Sequence, residues 1–103
     1  MLQTDKIEKL FFDSIKVKES IINKKLLSSI AQMGEEASDS IANGNKIMLC
    51  GNGGSAADAQ HLAAEMLIRL RPKNNREGIS AIALAQDTST ITACGNDFGY
   101  DKL

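Results

Sequence analysis

Two adjoining stretches of this 103-residue chain hold residues whose types and spacing suit chemistry. The first is Gly51-Asn52-Gly53-Gly54-Ser55, three glycines and two small polar residues placed directly after the apolar run Ile47-Met48-Leu49-Cys50. Glycine permits positive φ and leaves room for a ligand against the backbone. If Ser55 caps a following helix, the remaining free N–H groups and the positive dipole end face outward, where they attract phosphates and polarised sugar oxygens. A tight strand-to-helix connection without a ligand accounts for the same residues. The pattern is neither G-x-G-x-x-G nor a Walker A loop, which disfavours a nucleotide.

The second stretch is His61 with Glu65. Four residues apart on a helix, they share one face with Cβ atoms roughly 5–6 Å apart. Two chemistries fit: a carboxylate acting as general base beside a neutral imidazole, or two ligands of a divalent transition metal. A zinc site needs at least one more protein ligand, and this is the only histidine. An ordinary solvated pair fits as well. Leu62, Ala63, Ala64, Met66 and Leu67 around the pair argue for a helix packed on several sides, where a carboxylate needs a reason to be buried.

The elements that must position these residues follow from periodicity. Ile7, Leu10, Phe11, Ser14, Val17 and Ile21 recur near the helical period over about Thr4 to Ser20, and Leu26, Ile30, Met33, Ala37 and Ile41 do so over about Asn23 to Asn43. This predicts a helical hairpin over 1–44, stopped by Asn43-Gly44. The first helix, with Phe11, Phe12, Ile15 and Ile22, carries more apolar surface than one neighbour can cover, so the hairpin is expected to be an oligomerisation element. Residues 45–103 then read as strand, glycine turn and site helix to about Leu70, a polar loop Arg71–Gly78 whose charges are expected to face water, a second parallel strand over Ile79–Leu84, and a helix opened by Asp87-Thr88-Ser89-Thr90. Asn96-Asp97-Phe98-Gly99-Tyr100 reads as a turn. Arg69, at the end of the site helix, suits either a phosphate from a neighbouring subunit or simple solvent exposure beside the negative helix end. The expected class is α/β: an N-terminal helical hairpin followed by part of a parallel, doubly wound sheet. Two strands are few for such a sheet, so about half a domain is expected to lie elsewhere.

Composition narrows the function classes. Twelve basic against 13 acidic residues give no electrostatic case for nucleic acid or a membrane surface. No run approaches a membrane span and the first residues do not form a targeting peptide, so the expectation is a cytoplasmic protein. Cys50 and Cys94 lack framework or metal spacing and are expected to be buried, reduced thiols.

The run from Cys50 through Glu65, together with Gly95-Asn96-Asp97-Phe98-Gly99-Tyr100, resembles the sugar isomerase (SIS) domain of phosphoheptose isomerases. The resemblance extends over the whole chain and about the N-terminal half of such an enzyme. It implies a Rossmann-like SIS sheet and conversion of sedoheptulose 7-phosphate to D-glycero-D-manno-heptose 7-phosphate, a ketose–aldose shift that begins the route to ADP- or GDP-heptose for lipopolysaccharide. By the same resemblance, Asn52, Gly53 and Gly54 contact the substrate with Ser55 at the adjoining helix start, and Asn96 and Asp97 add contacts; with Glu65, and with Arg69 from its place at the helix end, these are the expected substrate-binding residues. Glu65 matches the catalytic carboxylate, and His61 with Glu65 matches two ligands of one zinc ion whose other ligands lie outside this chain. A homotetramer is implied.

The family's serine-rich phosphate loop and its later Gln and His lie beyond Leu103, so residues 1–103 alone are expected to be inactive. Two alternatives remain at this point. A related SIS branch binds the bacterial replication initiator without catalysis, and Glu65 argues against it. A module that senses a sugar phosphate is the other.

Overall fold

The structure is a computed structural model that describes residues 2–103. The chain falls into two compact units that divide after Ser38.

The first unit holds α1 (Gln3–Asn23) and most of α2 (Leu27–Ala42). α1 ends where the Lys24 N–H donates to Ser20 O at 2.9 Å, and the chain turns through Lys25 at φ +56°. Both helices of the expected hairpin are therefore present, but they are not packed along one another. Their apolar stripes stay open: Phe11 is 68% and Met33 70% exposed.

The second unit carries β1 (Ile47–Leu49), α3 (Gly54–Leu67), β2 (Ala81–Ala83), α4 (Thr88–Asp97) and a single 3₁₀ turn, Tyr100–Lys102. β1 and β2 pair in parallel, with Ile47 opposite Ala81, Met48 opposite Ile82 and Leu49 opposite Ala83. α3 makes the crossover and packs on both strands. Ala59 and Ala63 are i,i+4 neighbours on its inward face, and with Ala83 they are the buried core, flanked by Leu49 and Ala81. Alanine's small side chain lets the helix backbone approach the sheet closely. Residues alternate across the strands, so Met48 and Ile82 are left exposed on the opposite face.

Several element boundaries, and the burial of Cys50, differ from expectation. α3 stops at Leu67 rather than Leu70, where the loop that follows folds back onto its last carbonyls. β2 uses only the middle of the apolar run 79–84. α4 continues through Gly95 and absorbs Asn96 and Asp97, which were expected in a turn. Cys50 is exposed rather than buried because β1 ends at Leu49 and leaves it at the mouth of a cleft; Cys94 is half-buried, and both thiols are free. Among the described residues, no helix is long and apolar enough to cross a membrane.

Candidate functional site

The glycine turn is shaped by two different constraints. At Gly51 a Cβ would stand 2.6 Å from the carbonyl carbon and oxygen of Ser55, so the strand end and the first turn of α3 lie closer than any side chain allows. At Gly53 the backbone takes φ +56°, a left-handed conformation that reverses the chain and makes this residue the N-cap of α3. The helix thus starts before Ser55, which sits inside the first turn and does not cap it; among the described residues no side chain caps this end. Ser55 N–H donates to Asn52 O at 3.0 Å and Ala56 N–H to Gly53 O at 3.1 Å. Within the described residues the N–H groups of Asn52, Gly53 and Gly54 have no acceptor; Asn52 and Gly53 line the adjoining cleft, whereas Gly54 and Ser55 do not.

That cleft encloses about 570 Å³ between the turn, the end of β2 and the start of α4. Asp87 lines it and caps α4, accepting from Thr90 N–H at 3.1 Å and from the Thr90 hydroxyl at 2.6 Å. The hydroxyl bond, followed by the backbone bond, holds the Asp87 carboxyl below its ordinary value despite the opposing effect of partial desolvation. Tyr100 closes another side, its hydroxyl donating to Asn52 Oδ1 at 2.6 Å.

His61 and Glu65 meet as their spacing requires, with Nε2 and Oε1 3.0 Å apart. Their exposures differ: the imidazole is 73% and the carboxylate 27% exposed. Glu65 lines a second, largely apolar cavity of about 300 Å³ with Leu49, Leu62, Met66, Leu70 and Arg76. Arg76 was expected to face water. Instead its guanidinium donates to Glu65 O at 2.9 Å, Met66 O at 2.8 Å and Glu77 O at 2.9 Å, capping the C-terminal carbonyls of α3. Among the described residues no third His, Cys, Asp or Glu joins the His61–Glu65 pair, which supplies two donors of types zinc takes but not a full set.

The other expected site residues lie apart. Eleven positions along α3, about 16 Å of helix, separate Gly54 from Glu65. Arg69 follows the end of α3, and its guanidinium donates to Pro72 O at 3.2 Å. Asn96 and Asp97 pair with each other at the end of α4, Asn96 Nδ2 donating to Asp97 Oδ1 at 2.9 Å, and do not line the cleft. Asn52 and Gly53 do line it. Sequence reasoning assigned no role to Tyr100 or Arg76. The only signal for Tyr100 was its place in the motif ending at residue 100, and Arg76 had none beyond its charge.

A parallel strand pair bridged by a glycine-started helix, with polar residues gathered at the strand ends, places this chain in a known class. The SIS domain pattern matches residues 10–103, and the chain belongs to that family. Within it, the similarity is to phosphoheptose isomerases. The enzyme of that name from Chlorobaculum parvum is 46% identical over 97 residues, 94% of this chain and 46% of the relative. Solved structures agree: phosphoheptose isomerase from Francisella tularensis superposes with a TM-score of 0.85 at 37% identity, covering 99% of this chain and 52% of that one. The enzyme from Neisseria gonorrhoeae gives 0.78 at 40% identity, covering 97% and 50%. The chain spans about half the length of the relatives it matches.

Proposed function

We propose that this chain forms part of a phosphoheptose isomerase that converts sedoheptulose 7-phosphate to D-glycero-D-manno-heptose 7-phosphate in the cytoplasm, for lipopolysaccharide heptose synthesis. The observation that carries the reading is Glu65, a half-buried carboxylate 3.0 Å from His61 in a chain resembling enzymes of that name. In a ketose–aldose shift one base takes a proton from C1, leaving an enediol, and returns it to C2, while an acid exchanges protons on the two oxygens. Glu65 is the base. Hydrogen bonding to His61 orients its carboxylate, which lies beside Leu49, Leu62 and Leu70. The acid comes from residues outside this chain.

The glycine turn, with Asn52, Gly53, Gly54 and Ser55, binds substrate oxygens, and Asn96, Asp97 and Arg69 add contacts. About 16 Å of helix rise separates the start of α3 at the turn from Glu65. That separation supports an assembly in which one copy's turn and another's Glu65 share a substrate, and we assign a homotetramer. The exposed stripes of α1 and α2 are the surfaces such an assembly would cover. One zinc ion per site would take His61 and Glu65 as ligands, completed from outside these residues, and would supply polarisation of substrate oxygens.

The test is turnover of sedoheptulose 7-phosphate by the full-length protein and its Glu65→Gln variant, with zinc content measured on both. Loss of a general base predicts a fall of about 10²–10⁴-fold in kcat. A folded wild type without turnover would overturn the reading and favour a binding or regulatory SIS protein.

A further inference from the structure

Asn52 and Tyr100 stand 48 residues apart in sequence, yet the Tyr100 hydroxyl donates to Asn52 Oδ1 at 2.6 Å, within the short range for O–H···O bonds. Tyr100 is placed there by the end of α4, where the N–H groups of Phe98 and Gly99 both donate to Cys94 O, at 2.9 and 3.0 Å, and turn the chain back. Both side chains line the cleft at the glycine turn.

An asparagine amide has an accepting edge and a donating edge, and its partners decide which one a ligand meets. A phenol has a single proton to give. Once it is spent on Oδ1, the amide rotamer is set and Nδ2, with two hydrogens and no acceptor among the described residues, remains for the cleft. The neighbouring free groups are donors too, the N–H groups of Asn52 and Gly53. Asp87, the carboxylate in the lining, has one oxygen on the Thr90 N–H and the other on the Thr90 hydroxyl. The turn side of the cleft therefore offers donors and suits the acceptor oxygens of a ligand, while the Asp87 carboxylate elsewhere in the lining remains an acceptor.

We propose that Tyr100 is a positioning residue: it holds the Asn52 amide with Nδ2 toward the ligand, so that the turn selects the oxygens of a sugar phosphate. The inference rests on the functional reading above and extends it to a residue that does not itself bind substrate.

The experiment is steady-state kinetics of the full-length protein with sedoheptulose 7-phosphate for wild type, Tyr100→Phe, Asn52→Ala and the double variant, with thermal melts alongside. Tyr100→Phe removes one oxygen and keeps the ring. It should raise KM by roughly 3- to 10-fold, the worth of one neutral hydrogen bond, and leave kcat and the melting temperature close to wild type. In the Asn52→Ala background the same change should do nothing further, because the amide it orients is gone. A KM unchanged by Tyr100→Phe in an active enzyme, or an equal effect with and without Asn52, overturns this proposal alone. A wild type that neither turns over nor binds the sugar phosphate overturns the functional reading and this proposal with it.

Discussion

Replacing Gly51 with alanine probes the contact on which the whole turn depends. The added Cβ would meet Ser55 C and O at 2.6 Å and Ser55 Cβ at 2.7 Å, where ordinary carbon contacts begin near 3.5 Å. These are mostly backbone atoms, so no rotamer change relieves them, and the first turn of α3 has to retreat by roughly 1 Å. Forced overpacking of this kind costs about 1–3 kcal/mol, against which the stiffer unfolded chain returns about 0.4–1 kcal/mol. The net expectation is a loss of about 1–2 kcal/mol. Gly54→Ala is the matched control: a Cβ there has nothing within 4 Å, and its φ is not positive. It should be neutral or slightly stabilising. Urea unfolding followed by circular dichroism reads both, with an unchanged m-value required for the comparison. Equal midpoints for Gly51→Ala and wild type, or equal losses at the two glycines, would refute the close approach of strand and helix. The same retreat displaces the free N–H groups of the turn, so substrate affinity should fall in Gly51→Ala in step with stability.

Two further outcomes test other parts of the structure. Arg76→Met keeps the aliphatic stem but removes three donated hydrogen bonds, and should cost about 1–3 kcal/mol in urea melts. Arg76→Lys should recover only part of that loss, since a single ammonium cannot reproduce the guanidinium fork across the Glu65 and Met66 carbonyls; full recovery would show that charge alone matters. Asp87 provides a pH dependence. Because its folded carboxyl is held below the ordinary value by Thr90, its contribution is fully present above the ordinary carboxylate range and is lost as pH falls through the depressed value. Melts of wild type and Asp87→Asn should therefore differ at neutral pH and converge in acid, and a gap that stays constant with pH would contradict the charged cap.

Much of this architecture was legible in local sequence. An apolar run meeting three glycines and then an alanine-rich segment can hardly be other than strand, turn and helix, and i,i+4 spacing brings His61 to Glu65 wherever that helix lies. Asp87 announced the start of α4 for the same reason, since a cap acts on residues two or three positions away. Boundaries were harder: residues 96–100 read as a turn, but α4 runs on through Asp97.

What tertiary structure alone decided are the meetings between distant residues. Tyr100 reaches Asn52 only because β1, α3 and β2 pack so that the end of α4 returns to the turn. Arg76, ordinary in a polar loop, is drawn back by the unpaired carbonyls at the end of α3. Periodicity and capping act within a turn or two of helix and can be read along the chain. Which orphan donor finds which acceptor tens of residues away depends on the packed positions of the elements between them, and those exist only in the folded protein.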